Sequence, residues 1–336
     1  QLKNTFCACR EGYAYLSAHI GDLDEAMACG FYEREIPAFL ALFGVKPEVL
    51  AHDLHPDYAS TRLAKDYAGR FPQARLVAVQ HHRAHFASVL GEHGLSEALG
   101  LIFDGTGYGE DGTIWGGEAF CGTVIRAARV GSLRPLRLIG GEAAIREPWR
   151  LALYAVAEAC SDAEALALFR DRPEAPALLR LGRRGTLSPL SSGMGRLFDA
   201  FAVLAGLPGR VTYEGQAAIA LEQAFDQSVP GRYALDLVRE GGLLAFDWRP
   251  AVREAVSDRA GGADAAVVST RFHRGLVRLI EEIAERFPGM PVALSGGVFQ
   301  NLRLLEGASE ALRREGRAVY VNAAVPPNDG GISLGQ

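Results

Sequence analysis

No apolar run in this 336-residue chain approaches the roughly 18 residues that cross a bilayer, so no membrane partner is expected. Nor is there a surplus of positive charge. Lysine and arginine number 35 against 40 acidic residues, for a formal charge of −5 and a pI near 6.0, which leaves no clustered cationic face for a nucleic acid partner. The short basic stretch LRLGRRG at 179–185 reads as a solvated loop. Cysteine is scarce: the five at 7, 9, 29, 121 and 160 are odd in number and irregularly spaced, which excludes a disulfide framework and makes a reducing cytoplasm the expected compartment. Cys7 and Cys9 alternate within NTFCACREGYAYLS, an extended stretch, so both point to one face, where packing is their expected role. A charged and then apolar leader is also missing. The abrupt start on QLKNTF and stop at GGISLGQ read as a domain cut from a longer protein.

What is present is an ordinary globular composition, 49% hydrophobic and 22% charged, long enough for one large domain or two lobes with their own cores. Paired strands (NTFCACR, YAYLSAHIG) precede a helix at about 24–43, where Ile36, Phe39, Leu40 and Phe43 recur at helical spacing. A strand, turn and helix follow in VLAHDLHPDYASTRLAKDYAGRF, then the strand RLVAVQ, a helix to about 92, and the strand ALGLIFD running into a glycine-rich turn. Such alternation signals an α/β layer fold. After 113 come a β-rich stretch, a helical region at about 147–170 opened by Pro148, and a loop-rich insertion around 171–190 dense in Pro, Arg and Gly. Helices at 193–206 and 215–226, hairpin strands at 233–248, a long amphipathic helix at about 263–287, the strand PVALSGG, a helix, the strand RAVYVN and the turn PPNDGGISLG complete the chain. Both halves run strands, helices and a glycine-bearing turn after an apolar strand, which suggests two like-built lobes facing one cleft, approximately 1–125 and 126–336.

Three of the eight histidines fall within five residues of AVQHHRAHFASVL (78–90). On a helix, residues four apart share a face about 6 Å apart, so His81 and His85 can present two imidazoles to one metal ion, whereas His82 turns roughly 100° away. Asp104, ending the strand GLIFD, and Asp329, in the late turn PPNDGG, are the candidate carboxylates. Two imidazoles and two carboxylates suit iron or zinc better than magnesium or calcium. Each aspartate alone is also an ordinary turn residue.

Gly105, Thr106, Gly107 and Gly109 in DGTGYGEDG can bring backbone amides close to phosphate, and SGGVFQN, with Gly296, Gly297 and Asn301, is a second glycine turn whose following helix can face a nucleotide. Lys3, one of three lysines in the chain, sits beside Asn4 and Thr5 in LKNT, where it can meet a phosphate as a point charge.

QLKNTF, DLHPDYAST, VQHHRAH, FDGTGYGEDGTIWGGE, REPWR, SSGMGRLFDA, TYEGQAAIALE, LSGGVFQN and NDGGISLGQ together resemble the HypF carbamoyltransferases of nickel–iron hydrogenase maturation, from end to end of the chain. Only the C-terminal carbamoyl-transfer (TsaD-like) part is represented. The resemblance implies acylphosphatase-like, zinc-finger and YrdC-like domains ahead of it as partners, and it carries a strand and two glycines before LKNT that this sequence lacks. It implies an actin/Hsp70-like (ASKHA) fold of two ribonuclease-H-like lobes around a nucleotide and metal cleft, with the metal on His81, His85, Asp104 and Asp329. It further implies ATP, AMP or carbamoyl-adenylate bound at the glycine turns, and carbamoyl transfer to the C-terminal cysteine of the protein HypE. Lys3 is then expected to neutralise the leaving AMP, His55 to orient the carbamoyl amide or act on the incoming thiol, or with His52 simply to build a hydrogen-bonded turn, and Glu214 and Gln216 of YEGQ to contact ribose or base. The alternatives are a small-molecule O-carbamoyltransferase on the same fold and a non-catalytic ATP-binding module. A metallohydrolase is disfavoured because HExxH is absent.

Overall fold

The computed structural model describes residues 3–336, so the first two residues of the QLKNTF motif, Gln1 and Leu2, lie outside the described residues. The first unit contains β1 (Cys7–Arg10), β2 (Tyr13–Leu16), α1 (Ala26–Leu42), β3 (Val49–Asp53), α2 (Ala59–Arg70), β4 (Arg75–Val79) and α3 (His81–His93). Its four strands form two separate pairs, antiparallel β1–β2 and parallel β3–β4. A small core of Phe6, Leu23, Tyr32, Ala59 and Leu63 holds β1 and the helices α1 and α2 together.

A larger mixed sheet follows. It is built from β5 (Ala98–Tyr108), β6 (Ile114–Gly122), β7 (Ala127–Leu133) and β8 (Leu136–Arg137), joined later by β9 (Leu190–Ser191). Between these lie α4 (Ala143–Arg146), α5 (Trp149–Ala159), α6 (Asp162–Leu168) and α7 (Ala175–Arg184); α8 (Met194–Leu204) and α9 (Gln216–Gln223) come next. The chain closes through β10 (Asp236–Glu240), β11 (Leu243–Asp247), α10 (Arg249–Ala260), α11 (Ala265–Glu285), β12 (Val292–Ser295), α12 (Leu302–Arg314), β13 (Val319–Val321) and α13 (Ile332–Gly335). The strand order is β10-β11-β7-β6-β5-β12-β13. Strands β5, β6 and β7 are antiparallel neighbours, and β12 and β13 extend the sheet in parallel from β5, as the α/β expectation requires.

Both faces of β5 are covered, which is why Leu99, Leu101, Ile102 and Phe103 read as an uninterrupted apolar run. One face meets α5, α8 and α11 in the main core. On the other, α3 lays Phe86, Val89 and Leu90 against Ile102, Phe120 and Ala293. At roughly 25 cal/mol per Å² of apolar surface, each such buried side chain contributes about 1.5–3 kcal/mol, so the helix bearing the histidines is anchored by its apolar residues.

Two expectations need correction. The segment around 171–190 is not a loop-rich insertion: α7 fills its middle, with Pro176 in the first turn, Ala175 and Leu179 buried, and Gly185 closing it at φ 69°. Proline and glycine there punctuate a helix. The division at 125/126 falls in the turn between β6 and β7, adjacent strands of one sheet, so no break in packing occurs there. The change of core instead comes between α2 and α3, since α3 already belongs to the large sheet.

Candidate functional site

The C-terminal edge of the β3–β4 pair and the middle of β5 meet at the start of α3. Strand β4 ends at Val79, Gln80 caps the helix by accepting from the Arg83 amide at 3.0 Å, and His81 is the first helical residue. Its side chain and that of His85, one turn on, face Asp104. The ladder between β5 and β6 slips between Phe103 and Gly107, an irregularity that frees Asp104 from strand alternation and re-aims it. Asp329 arrives from the turn before α13, which packs on α3 so closely that a Cβ at Gly335 would overlap the Ala84 carbonyl.

These four side chains converge, with one ligand atom from each lying within 4.8 Å of the others. Both imidazole Nε2 atoms are 3.3 Å from Asp104 Oδ2, and His81 Nε2 is 3.7 Å from Asp329 Oδ1. Burial alone would lower the His81 pKa, but its hydrogen bonds to Asp104 and Asp53 raise it well above the ordinary imidazole range. Against the same opposing burial, His81 and His85 hold Asp104 well below the carboxylate range. Burial, and then the nearby Asp104 charge, raise Asp329 despite His81. His85 is 0% exposed; its Nδ1 has no hydrogen-bond partner, and its Nε2 meets only the Asp104 carboxylate, at 3.3 Å and outside hydrogen-bond geometry. A buried polar atom short of a partner costs about 1–3 kcal/mol, and a cation at the focus of the cluster would take up the Nε2 lone pair. The donor set therefore fits a divalent ion. His82, as its spacing requires, points away, with Nδ1 beside Gln80 Nε2 at 3.1 Å.

The other expected residues sort differently. Lys3 and Glu214 do come together, Nζ to Oε2 at 3.4 Å, joining the first unit to the segment before α9. Thr5 donates to the Gly330 carbonyl at 2.9 Å and lies 2.7 Å from Ser333 Oγ, so it pins the turn carrying Asp329. Asn4 donates to the Gly21 carbonyl. Gln216 Oε1 accepts from the Thr212 amide at 2.7 Å.

Gly105, Thr106 and Gly107 lie within β5, so the expected turn begins only at Gly109. Gly107 packs beneath the histidines, because a Cβ there would come within 2.9 Å of His81. The Gly109 amide is spent on Thr113 O at 2.9 Å. Gly296 holds φ 101° against β5, and a Cβ on Gly297 would sit 2.9 Å from Asp104 Oδ1. The second glycine turn thus abuts the candidate metal ligands.

His55 stacks on Tyr58 with ring centroids 4.2 Å apart, and its Nδ1 accepts from the Asp57 amide at 3.2 Å. His52, 7% exposed, donates from Nδ1 to the Asp53 carbonyl at 2.6 Å, a contact that serves the turn.

Asn301 has partners within the protein. Its side chain is consumed inside the protein: Oδ1 caps α12 by accepting from the Leu304 amide at 3.0 Å, and Nδ2 donates to His273 Nε2 at 2.9 Å. His273 Nδ1 donates to the Ser269 carbonyl at 2.8 Å, so this neutral tautomer uses both nitrogens. Burial pushes the His273 imidazole down to about 4, although the Ser269 contact works against it. The unfolded imidazole titrates near 6.5. The unfolded chain therefore binds a proton that the folded chain lacks between those values, and stability is full above about pH 6.5 and falls as pH drops toward 4. We expect this histidine to account for about 3 kcal/mol of that loss. Urea unfolding at pH 7 and pH 4.5 should show a shallower pH dependence for His273→Gln than for the unsubstituted chain.

Comparison with known proteins places this geometry. Residues 1–92 match the HypF Kae1-like domain family, and residues 100–336 match the second subdomain of the carbamoyltransferase Kae1-like domain. The carbamoyltransferase HypF of Synechocystis is 38% identical over 99% of this chain and 45% of its own length. That of Rhizobium leguminosarum is 39% identical over 100% of this chain and 43% of its own. A HypF homologue of Cupriavidus necator is 34% identical and is covered over 88% of its length. A crystal structure of full-length HypF in a phosphate- and nucleotide-bound form superposes with a TM-score of 0.93 at 37% identity, over 99% of this chain and 44% of that one. The chain spans a little under half the length of the full HypF relatives it matches. On these grounds, with an α/β sheet consistent with the ASKHA class, the chain belongs to the HypF carbamoyltransferase family, as its Kae1-like region.

Proposed function

We propose that this chain moves a carbamoyl group from carbamoyl-adenylate to the thiolate of a C-terminal cysteine on a partner of the HypE type, releasing AMP, as a step in making the cyanide ligand of nickel–iron hydrogenase. The observation that carries the reading is the convergence of His81, His85, Asp104 and Asp329 on one point. In the reaction the thiolate sulfur bonds the carbamoyl carbon, the bond from that carbon to the phosphate oxygen breaks, and AMP leaves with the electron pair. A mixed anhydride is already activated, so the protein's part is to hold it, polarise its carbonyl and admit the nucleophile. His81, His85, Asp104 and Asp329 would hold a divalent ion, iron or zinc by ligand type, and such an ion would supply Lewis acidity. Lys3, set beside Glu214, faces the departing phosphate, and Gly105 and Thr106 offer the approach to it along β5. His55 stands on Tyr58 to orient the carbamoyl amide.

Three further points support the reading. A HypF relative has been solved with phosphate and nucleotide bound. Three of the five thiols are poorly set up as nucleophiles: burial, and then Cys9, push Cys7 up to about 12, and burial raises Cys121 and Cys160. This supports an attacking sulfur on the acceptor. The remaining HypF domains are the proposed source of the adenylate, and the cytoplasm is the proposed compartment; no helix of the described residues is long and apolar enough to cross a membrane.

The test supplies preformed carbamoyl-adenylate with either a HypE tail peptide or an amino-sugar acceptor, and follows carbamoylation by mass spectrometry. Label on the peptide cysteine is expected. Label on the sugar alone would favour small-molecule O-carbamoylation, and nucleotide binding with no transfer to either would reduce the chain to an ATP-binding module. Carbamoyl phosphate with ATP in place of the adenylate should give no labelled peptide.

A further inference from the structure

Asp53 stands outside the four-residue cluster, yet it touches the cluster more tightly than the ligands touch one another. It ends β3, and the parallel register sets it opposite Val79 at the end of β4, two residues before His81. That pairing brings its Oδ2 to 2.8 Å from His81 Nδ1, while its Oδ1 accepts from the His55 amide at 2.8 Å. Both oxygens are thus committed. The residue is 5% exposed, and its main chain is clamped by Thr61 Oγ1 and His52 Nδ1 on its carbonyl.

The geometry points to Asp53 as a positioning residue that fixes the His81 tautomer: with Nδ1–H donated to the carboxylate, the lone pair of Nε2 is held toward Asp104, Asp329 and the cation between them. A carboxylate behind a metal-bound imidazole orients the ring and raises its basicity, and its loss costs about 10–100-fold in metal affinity. Asp53 cannot itself be a ligand without giving up either His81 or the His55 amide. The same carboxylate therefore couples the DLHPDY turn, where His55 and Tyr58 stand, to the orientation of His81. This inference rests on the proposed metal site, so its test measures metal binding directly.

Zinc affinity by competition with a chromophoric chelator is expected to fall about 10-fold in Asp53→Asn, whose single carbonyl oxygen can accept from His81 Nδ1–H or from the His55 amide but not from both, and about 100-fold in Asp53→Ala. Nitrogen-15 shifts of the His81 ring in the zinc-free chain, taken at a pH high enough to leave the imidazole neutral, should report Nδ1 protonation in the unsubstituted protein and mixed tautomers in the Ala variant. A merely structural role would move neither the graded affinity nor the tautomer. Thermal unfolding of the near-isosteric Asn variant should stay cooperative, with a loss no larger than that of one buried hydrogen bond, which keeps the test independent of folding failure in the Ala variant. Wild-type zinc affinity in both variants overturns the inference and leaves the metal site intact. No zinc binding by the unsubstituted protein overturns the metal site itself and this inference with it.

Discussion

Replacing His85 with alanine should empty the metal site and abolish transfer together while the fold stands. This imidazole meets only the Asp104 carboxylate, at 3.3 Å, so its removal breaks that one contact, and α3 keeps the packing of Phe86, Val89 and Leu90 on the sheet. What is lost is one arm of an i, i+4 chelate. The remaining His81, Asp104 and Asp329 would present one neutral donor and two carboxylates that repel each other. Lewis-acid stabilisation worth several kcal/mol corresponds to a rate loss of at least about 10³-fold. His82→Ala is the control, because that ring points away from the cluster, and metal content should survive it. Elemental analysis, transfer assays and circular dichroism on the two variants decide the matter. Full activity in a metal-free His85→Ala protein would remove the cation from the mechanism.

The sequence carried this pair because a helix repeats its face every three to four residues, and nothing outside the helix is needed to align His81 with His85. Asp104 and Asp329 were legible for a related reason: each stands where an apolar strand or a glycine turn ends, and such ends face clefts in α/β folds. Asp53 was not. Its place depends on the parallel register of β3 with β4, a pairing between strands whose hydrogen-bond partners leave no mark on either sequence.

Glycine misled in the opposite direction. A glycine after a strand has several uses, and the letters do not say which. Gly107 makes room for His81 and His82, while Gly109 closes a hairpin with its amide on the Thr113 carbonyl. Asn301 likewise has the letters of a ligand and the position of a helix cap. Composition hid α7 within a stretch rich in Pro, Arg and Gly, although Pro176 and Gly185 stand where a helix begins and ends. The lobe boundary failed because β6 and β7 pair across it, whereas the alternation of elements that gave the α/β class survives any choice of boundary.

Gly297→Val should now act on the metal site before it acts on the nucleotide. A bare Cβ at this position would lie 2.9 Å from Asp104 Oδ1, closer than carbon and oxygen tolerate, and valine adds two methyl groups to that crowding. The carboxylate has little freedom to retreat: Oδ1 accepts from the Gly105 amide at 2.8 Å, and Oδ2 faces both imidazoles. Yielding by Asp104 would break the contact that aligns the two histidines, and yielding by the 297 backbone would pull the turn off β5, where Gly296 already abuts the Phe103 carbonyl. Zinc affinity should fall by about 10–100-fold, the range seen when ligand orientation is disturbed. ATP affinity measured by calorimetry in the absence of metal should change by less. A loss confined to ATP, with zinc binding intact, would return Gly297 to the nucleotide pocket and show that Asp104 can move aside. Equal zinc and ATP affinities in variant and parent would mean that the turn relaxes freely, and the close packing of Gly297 on the Asp104 carboxylate would then have no part in holding the site.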